Sequence, residues 1–196
     1  KTLFQPRSVY AISKVFAYHS VIHYREAYGI HACNGILFNN ESPRRGVNFV
    51  TKKIVQGLVR IKQGKQKILT LGNLYSRRDW GHAKDYVESM WKILQQKKPN
   101  DFVIATKTSH SVKDFINICA KKLNINLVWK NRGLKEVGIN KLTKKTIIKV
   151  DKKYFRETEV DDLIGDFTKA KKLLKWKPKY SFNKLVDDMI YNELNG

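Results

Sequence analysis

Ser-Val-Tyr-Ala-Ile-Ser-Lys-Val-Phe-Ala-Tyr-His-Ser-Val-Ile-His-Tyr-Arg-Glu-Ala-Tyr-Gly-Ile-His-Ala-Cys-Asn-Gly-Ile-Leu-Phe, Ser8 to Phe38, sets the fold class. Its first part places Val9, Ile12, Val15, Phe16, Val21 and Ile22 at helical spacing, and Gly29 stops the pattern. Ala32 to Phe38 is then a short, mostly apolar run of the kind that forms a buried parallel strand. The same alternation continues downstream. Val47 to Arg60, His82 to Gln96, Val112 to Leu123 and Phe182 to Leu194 read as helices, and Leu163 to Leu174 contains a short one. Ile68 to Leu71, Phe102 to Ala105, Leu127 to Trp129 and Thr146 to Val150 read as strands. Ser111 stands where the third of those helices needs its cap. Strands alternating with helices make the class α/β.

Within the first helix, Tyr10 and Lys14 are four residues apart and so share one face, a turn from each other. An ammonium held there favours the phenolate, which makes Tyr10 a candidate general base for a sugar or alcohol hydroxyl. The spacing alone is common in amphipathic helices, so its meaning depends on what surrounds it.

The 196 residues suffice for one domain, or for a domain and part of another. At 42% hydrophobic content the chain can build a core, which excludes wholesale disorder. No apolar run reaches the roughly 18 residues of a membrane helix, and no stretch reads as a secretory signal. Cys33 and Cys119 lie in apolar segments and are expected as buried, reduced thiols of a cytoplasmic protein. Neither a C-x-x-C pair nor a His/Cys cluster is present, so no metal is expected. The net charge of +22 raises the question of nucleic acid. Against it, the basic residues are 30 lysines and only 9 arginines, scattered along the chain without a recognition motif. Attraction for an anionic ligand, a nucleotide diphosphate included, follows from the charge in any case.

Further runs carry a resemblance. They are Phe-Asn-Asn-Glu-Ser-Pro-Arg-Arg-Gly (Phe38 to Gly46), Arg-Asp-Trp-Gly-His-Ala-Lys-Asp-Tyr-Val (Arg78 to Val87) and Lys-Tyr-Phe-Arg-Glu-Thr-Glu-Val (Lys153 to Val160). Gly-Asp-Phe-Thr-Lys-Ala-Lys-Lys-Leu-Leu-Lys-Trp-Lys-Pro (Gly165 to Pro178) completes the set. In this order they resemble the GDP-mannose 4,6-dehydratases of the extended short-chain dehydrogenase/reductase superfamily, from Phe4 to Val186.

That resemblance implies the C-terminal part of a Rossmann-type doubly wound fold plus a smaller α/β substrate-binding domain. Residues 1–46 would end the NADP-binding Rossmann domain, and residues 47–196 would form mainly the sugar-nucleotide domain. No G-x-G-x-x-G occurs among the 11 glycines. The chain is therefore expected to be the C-terminal portion of a longer enzyme, inactive without its N-terminal half. The implied reaction converts GDP-mannose to GDP-4-keto-6-deoxymannose in GDP-deoxysugar biosynthesis. Tyr10 takes the C4 hydroxyl proton, hydride passes to NADP, a glutamate from the missing segment removes the C5 proton, water leaves from C6 and the hydride returns there. Lys14 would assist Tyr10 and bind the nicotinamide ribose. Asn40 and Arg45 would contact NADP; Asn40 replaces the family's histidine and keeps hydrogen bonding without its stacking or charge. Asn39, Lys53, Arg78, Arg156 and Glu159 would hold the sugar nucleotide. Arg78 would neutralise the diphosphate, and Arg156 with Glu159 would serve phosphate and ribose. Lys52 is expected to face solvent, and Asp79 and Trp80 to be structural. Lys107 replaces a family glycine, which disfavours any positive φ there. Family members assemble as dimers or tetramers, so the full protein is expected to be a homo-oligomer.

Overall fold

The computed structural model describes residues 2–155, 158 and 160–196. The opening helix α1 spans Val9–Tyr28: the Ser8 side chain accepts the Ala11 N–H, and Gly29 ends the helix at φ 65°. A left-handed residue of that kind closes a helix at least cost when it is glycine. None of its residues is buried, and Val9, Ile12 and Phe16 lie open. Its far end is tied down through a fork: Arg25 donates to both carboxylate oxygens of Asp101, at 2.8 and 3.2 Å.

The short strands β1 (Gly35–Leu37) and β2 (Asn39–Glu41) follow, then α2 (Val50–Lys62), β3 (Leu69–Leu71), β4 (Arg77–Arg78) and β5 (Trp80–His82). Next come α3 (Ala83–Leu94), β6 (Phe102–Ile104), β7 (His110–Ser111), α4 (Val112–Lys122), β8 (Leu127–Lys130), β9 (Val137–Asn140) and β10 (Thr146–Val150). The chain closes with β11 (Asp162–Leu163), α5 (Thr168–Leu174) and α6 (Phe182–Asn195). Ser111 caps α4 as expected, and Asp114 returns the bond in a capping box.

Two parallel pairs flank the site, β1 with β6 and β2 with β5. The largest sheet runs β3-β10-β9-β8, parallel between β3 and β10 and antiparallel beyond. A third sheet runs β11-β4-β7, parallel between β11 and β4. Strand β9 escapes a sequence reading because Gly138 and Asn140 break its apolar pattern. Gly138 fits closely there: a Cβ would lie 3.0 Å from Leu127 Cδ1 and 3.1 Å from Ile148 Cβ, so a larger residue would press on both side chains.

Two cores hold these layers. The larger joins α2, α4 and α6 to the four-stranded sheet through Ile54, Leu58, Phe115, Ile116, Ile148 and Met189. The smaller packs α3, β6 and α5 through Tyr86, Ile93, Phe102, Ile104, Leu174 and Trp176, with Leu37 and Cys33 against it. Each such side chain contributes about 1.5–3 kcal/mol by leaving water. The Trp176 indole also donates to the Asp85 carbonyl at 2.9 Å, so the ring is buried with its N–H satisfied. Cys119 is buried and Cys33 half-buried; both are free thiols. Lys52 does not face solvent, contrary to the sequence expectation. Its ammonium reaches Glu193 at 2.6 Å and Pro43 O at 3.3 Å, joining α2 to α6. The sequence reading missed this because Glu193 lies far along the chain.

Candidate functional site

One cavity of about 780 Å³ opens between α1, β2, α2, β4 and the turn before β11. Five of the residues singled out from sequence line it together: Tyr10, Asn39, Arg45, Lys53 and Arg78. Tyr10 reaches it from the first turn of α1, and its ring is 71% exposed. Lys14 stands one turn on, with Nζ 5.3 Å from the Tyr10 ring centroid, and does not line the cavity. Strand alternation separates the two asparagines of β2. Asn39 and Glu41 line the cavity, whereas Asn40 between them does not. Asn40 Nδ2 lies 3.5 Å from Phe38 O.

Arg45 is gripped from two sides. Its Nε lies 3.1 Å from Glu41 Oε2, an ion pair without hydrogen-bond alignment, and its guanidinium lies 3.4 Å from the Phe49 ring centroid. Glu41 is buried and accepts the Thr51 hydroxyl at 2.6 Å. Burial pushes its carboxyl above the usual range, opposed by the Thr51 bond and the Arg45 charge. Lys53 is aimed by a ring as well: its Nζ sits 3.8 Å from the Tyr154 centroid. Glu41, Phe49 and Tyr154 were not assigned roles from sequence. Only the four-residue steps from Glu41 to Arg45 to Phe49 offered a signal.

Arg78 enters from β4. Its Nη1 donates to Arg77 O at 2.7 Å and to Val160 O at 2.6 Å. Arg77 turns the other way, donating to Ser109 O at 2.6 Å and lying 3.7 Å from Asp114. Asp79 lies wholly buried behind Arg78. It accepts from Thr106 N (2.8 Å), Thr106 Oγ1 (2.6 Å), Lys107 N (3.0 Å) and Gly165 N (3.2 Å), pinning two loops to the site. Trp80 packs edge-on to Phe115 and stacks on Phe182. Arg156 and Glu159 lie outside the described residues. Among the described residues, no group of three or more His, Cys, Asp or Glu could hold a metal ion. No described helix is long and apolar enough to cross a membrane.

Comparison with solved structures places this architecture. The structure of RMD from Pseudomonas aeruginosa with NADPH matches at a TM-score of 0.79 and 16% identity, over 99% of this chain and 58% of that one. The dTDP-glucose 4,6-dehydratase of Bacillus anthracis with NAD matches at 0.78 and 18%, over 100% and 55%. The fold is thus the Rossmann type that these two nicotinamide-bound structures share. The profile of the GDP-mannose 4,6 dehydratase family matches residues 1–189, and the chain belongs to that family. It is 52% identical to the GDP-mannose 4,6 dehydratase of Dictyostelium discoideum over 98% of this chain and 54% of that protein. The human protein is 50% identical over 98% and 52%, and the Sinorhizobium fredii protein 48% identical over 100% and 56%. The chain therefore spans about half the length of the curated relatives it matches.

Proposed function

We propose that the protein carrying this chain is a GDP-mannose 4,6-dehydratase. The observation that carries the reading is the meeting of Tyr10, Asn39, Arg45, Lys53 and Arg78 in one cavity, in a chain of that family. A phenol, a carboxamide, an ammonium and two guanidinium groups suit a sugar joined to a diphosphate. The phenol of Tyr10, the ammonium of Lys14 and the amide of Asn40, with Arg45, fit the hydroxyls and phosphates of NADP. The chemistry that cofactor would supply is hydride transfer, out of C4 of the mannose and back to C6 once water has left there. Tyr10 holds the C4 hydroxyl and takes its proton, with the Lys14 ammonium one helical turn away. Arg78, Lys53 and Arg156 oppose the charge of the diphosphate, Glu159 accepts from the ribose hydroxyls, and Asn39 orients the sugar from the start of β2. The first unit, residues 1–46, belongs to the cofactor domain, with α3, β6 and α5 returning to its core. The rest is mainly the sugar-nucleotide domain. The free thiols fit a cytoplasmic enzyme, and the family's habit of assembly makes a homo-oligomer the expected state.

Tyr10→Phe tests the assignment in the whole protein. The phenol is needed in the transition state and contributes little to ground-state affinity. Turnover of GDP-mannose should fall well beyond tenfold, with its Kd within a factor of about two. A variant retaining more than about a tenth of the rate has lost less than about 1.4 kcal/mol, too little for a general base.

A further inference from the structure

Ser76 carries a hydroxyl that the assigned roles leave unused. The residue is 5% exposed, lines the main cavity, and its Oγ is buried without a hydrogen-bond partner among the described residues. Its carbonyl is engaged, since Ser76 O accepts the Val112 N–H at 3.1 Å. Leaving a buried hydroxyl unmatched is costly, so an orphan in a cavity wall is a group waiting for a ligand atom. Ser76 stands immediately before β4 and lines the cavity together with Arg78, while Arg77 between them turns away to Ser109 and Asp114. The orphaned hydroxyl thus belongs to the same stretch of cavity wall as the guanidinium assigned to the diphosphate.

We propose that Ser76 is a substrate-binding residue whose hydroxyl donates to an oxygen of the nucleoside-diphosphate part of the substrate. The inference rests on the sugar-nucleotide reading of the cavity. A serine at this position adds one donor to the wall that Arg78 charges. The bond replaces an unsatisfied group, so its whole effect appears in the bound state. This separates it from a structural serine, whose loss would weaken the free protein.

The test is calorimetric titration of the whole protein with GDP and with GDP-mannose, beside thermal unfolding without ligand. Ser76→Ala should bind both ligands about tenfold more weakly, the scale of a hydrogen bond to a charged acceptor. Its ligand-free melting temperature should be unchanged or higher, because an unmatched group has been removed. Ser76→Gly should lose the same affinity. Unchanged GDP affinity in both variants, with the unmutated protein binding GDP, overturns the inference and leaves the sugar-nucleotide reading intact. Weakened binding of GDP-mannose alone would place the contact on the sugar and also overturn it. A lowered ligand-free melting temperature would mark Ser76 as structural. An unmutated protein that binds neither ligand rejects the reading and the inference together.

Discussion

Lys107 shows what one residue costs at this site. It adopts φ 65°, a left-handed conformation in which an L side chain crowds its own backbone. The sequence flagged the position as one where lysine disfavours positive φ, and the structure places it there. Asp79 holds the strained turn by accepting Lys107 N–H and both donors of Thr106. The lysine side chain returns little, since its Nζ is 3.6 Å from an exposed Asp166. Lys107→Gly should therefore raise stability by about 0.5–1 kcal/mol, the relief of strain less the extra freedom of an unfolded glycine. Urea unfolding of the two proteins checks this, and a midpoint at or below that of the unmutated chain would contradict it. Single residues were legible where a motif carried them, as at Arg78, or where one followed an apolar strand-like run, as at Asn39. Phe49, Tyr154 and Ser76 were not, because a ring under a cation or an orphaned hydroxyl exists only once distant segments meet.

At the scale of elements, periodicity located every helix to within a few residues, and Thr146–Val150 came out as drawn. The strands that build the site did not show, because β2, β4, β5, β7 and β11 are two or three residues long and mostly polar, unlike the equally short but apolar β1, β3 and β6. No period can be read from so few positions; these strands form because neighbouring segments supply the hydrogen bonds. The attachment of α1 is likewise invisible in sequence. No residue of this helix is buried, and its C-terminal end depends on the fork from Arg25 to Asp101, whose carboxylate also accepts Asn34 N–H at 2.9 Å. Burial raises the Asp101 carboxyl, but the Arg25 bond and charge and the Asn34 bonds outweigh it and hold it below the usual aspartate value. The sign follows: this stability is present above the unfolded value of 3.8 and is lost as pH falls through the lower folded value. Asp101→Asn should cost about 1–3 kcal/mol at pH 7. The gap between the two proteins should close as unfolding is followed from pH 5 toward pH 2. A gap that stays constant into acid would mean that the charge is not what fastens the helix.

The whole molecule poses the question of its +22 charge. Were it meant for nucleic acid, cations would gather on a face and matter more than any buried arginine. Instead Lys65, Lys67, Lys97, Lys98, Lys121, Lys130 and Lys141 are exposed on separate turns and elements. The arginines Arg45 and Arg78 are held in the cavity wall. Charges in bulk water beyond about 8–10 Å are screened at physiological salt, whereas a guanidinium in a cleft acts on its ligand directly. Arg78→Ala should thus weaken GDP-mannose binding in the whole protein by about 2–3 kcal/mol. Neutralising Lys65 and Lys67 together should change it by less than about 0.5 kcal/mol. Titrations with GDP-mannose and with a labelled oligonucleotide, each over a salt series, separate the two uses of charge. Protein built to bind nucleic acid would show a steep loss of oligonucleotide affinity with salt, sensitive to the lysine pair and indifferent to Arg78. Sub-micromolar oligonucleotide binding at physiological salt, with no measurable affinity for GDP-mannose, would overturn the sugar-nucleotide reading.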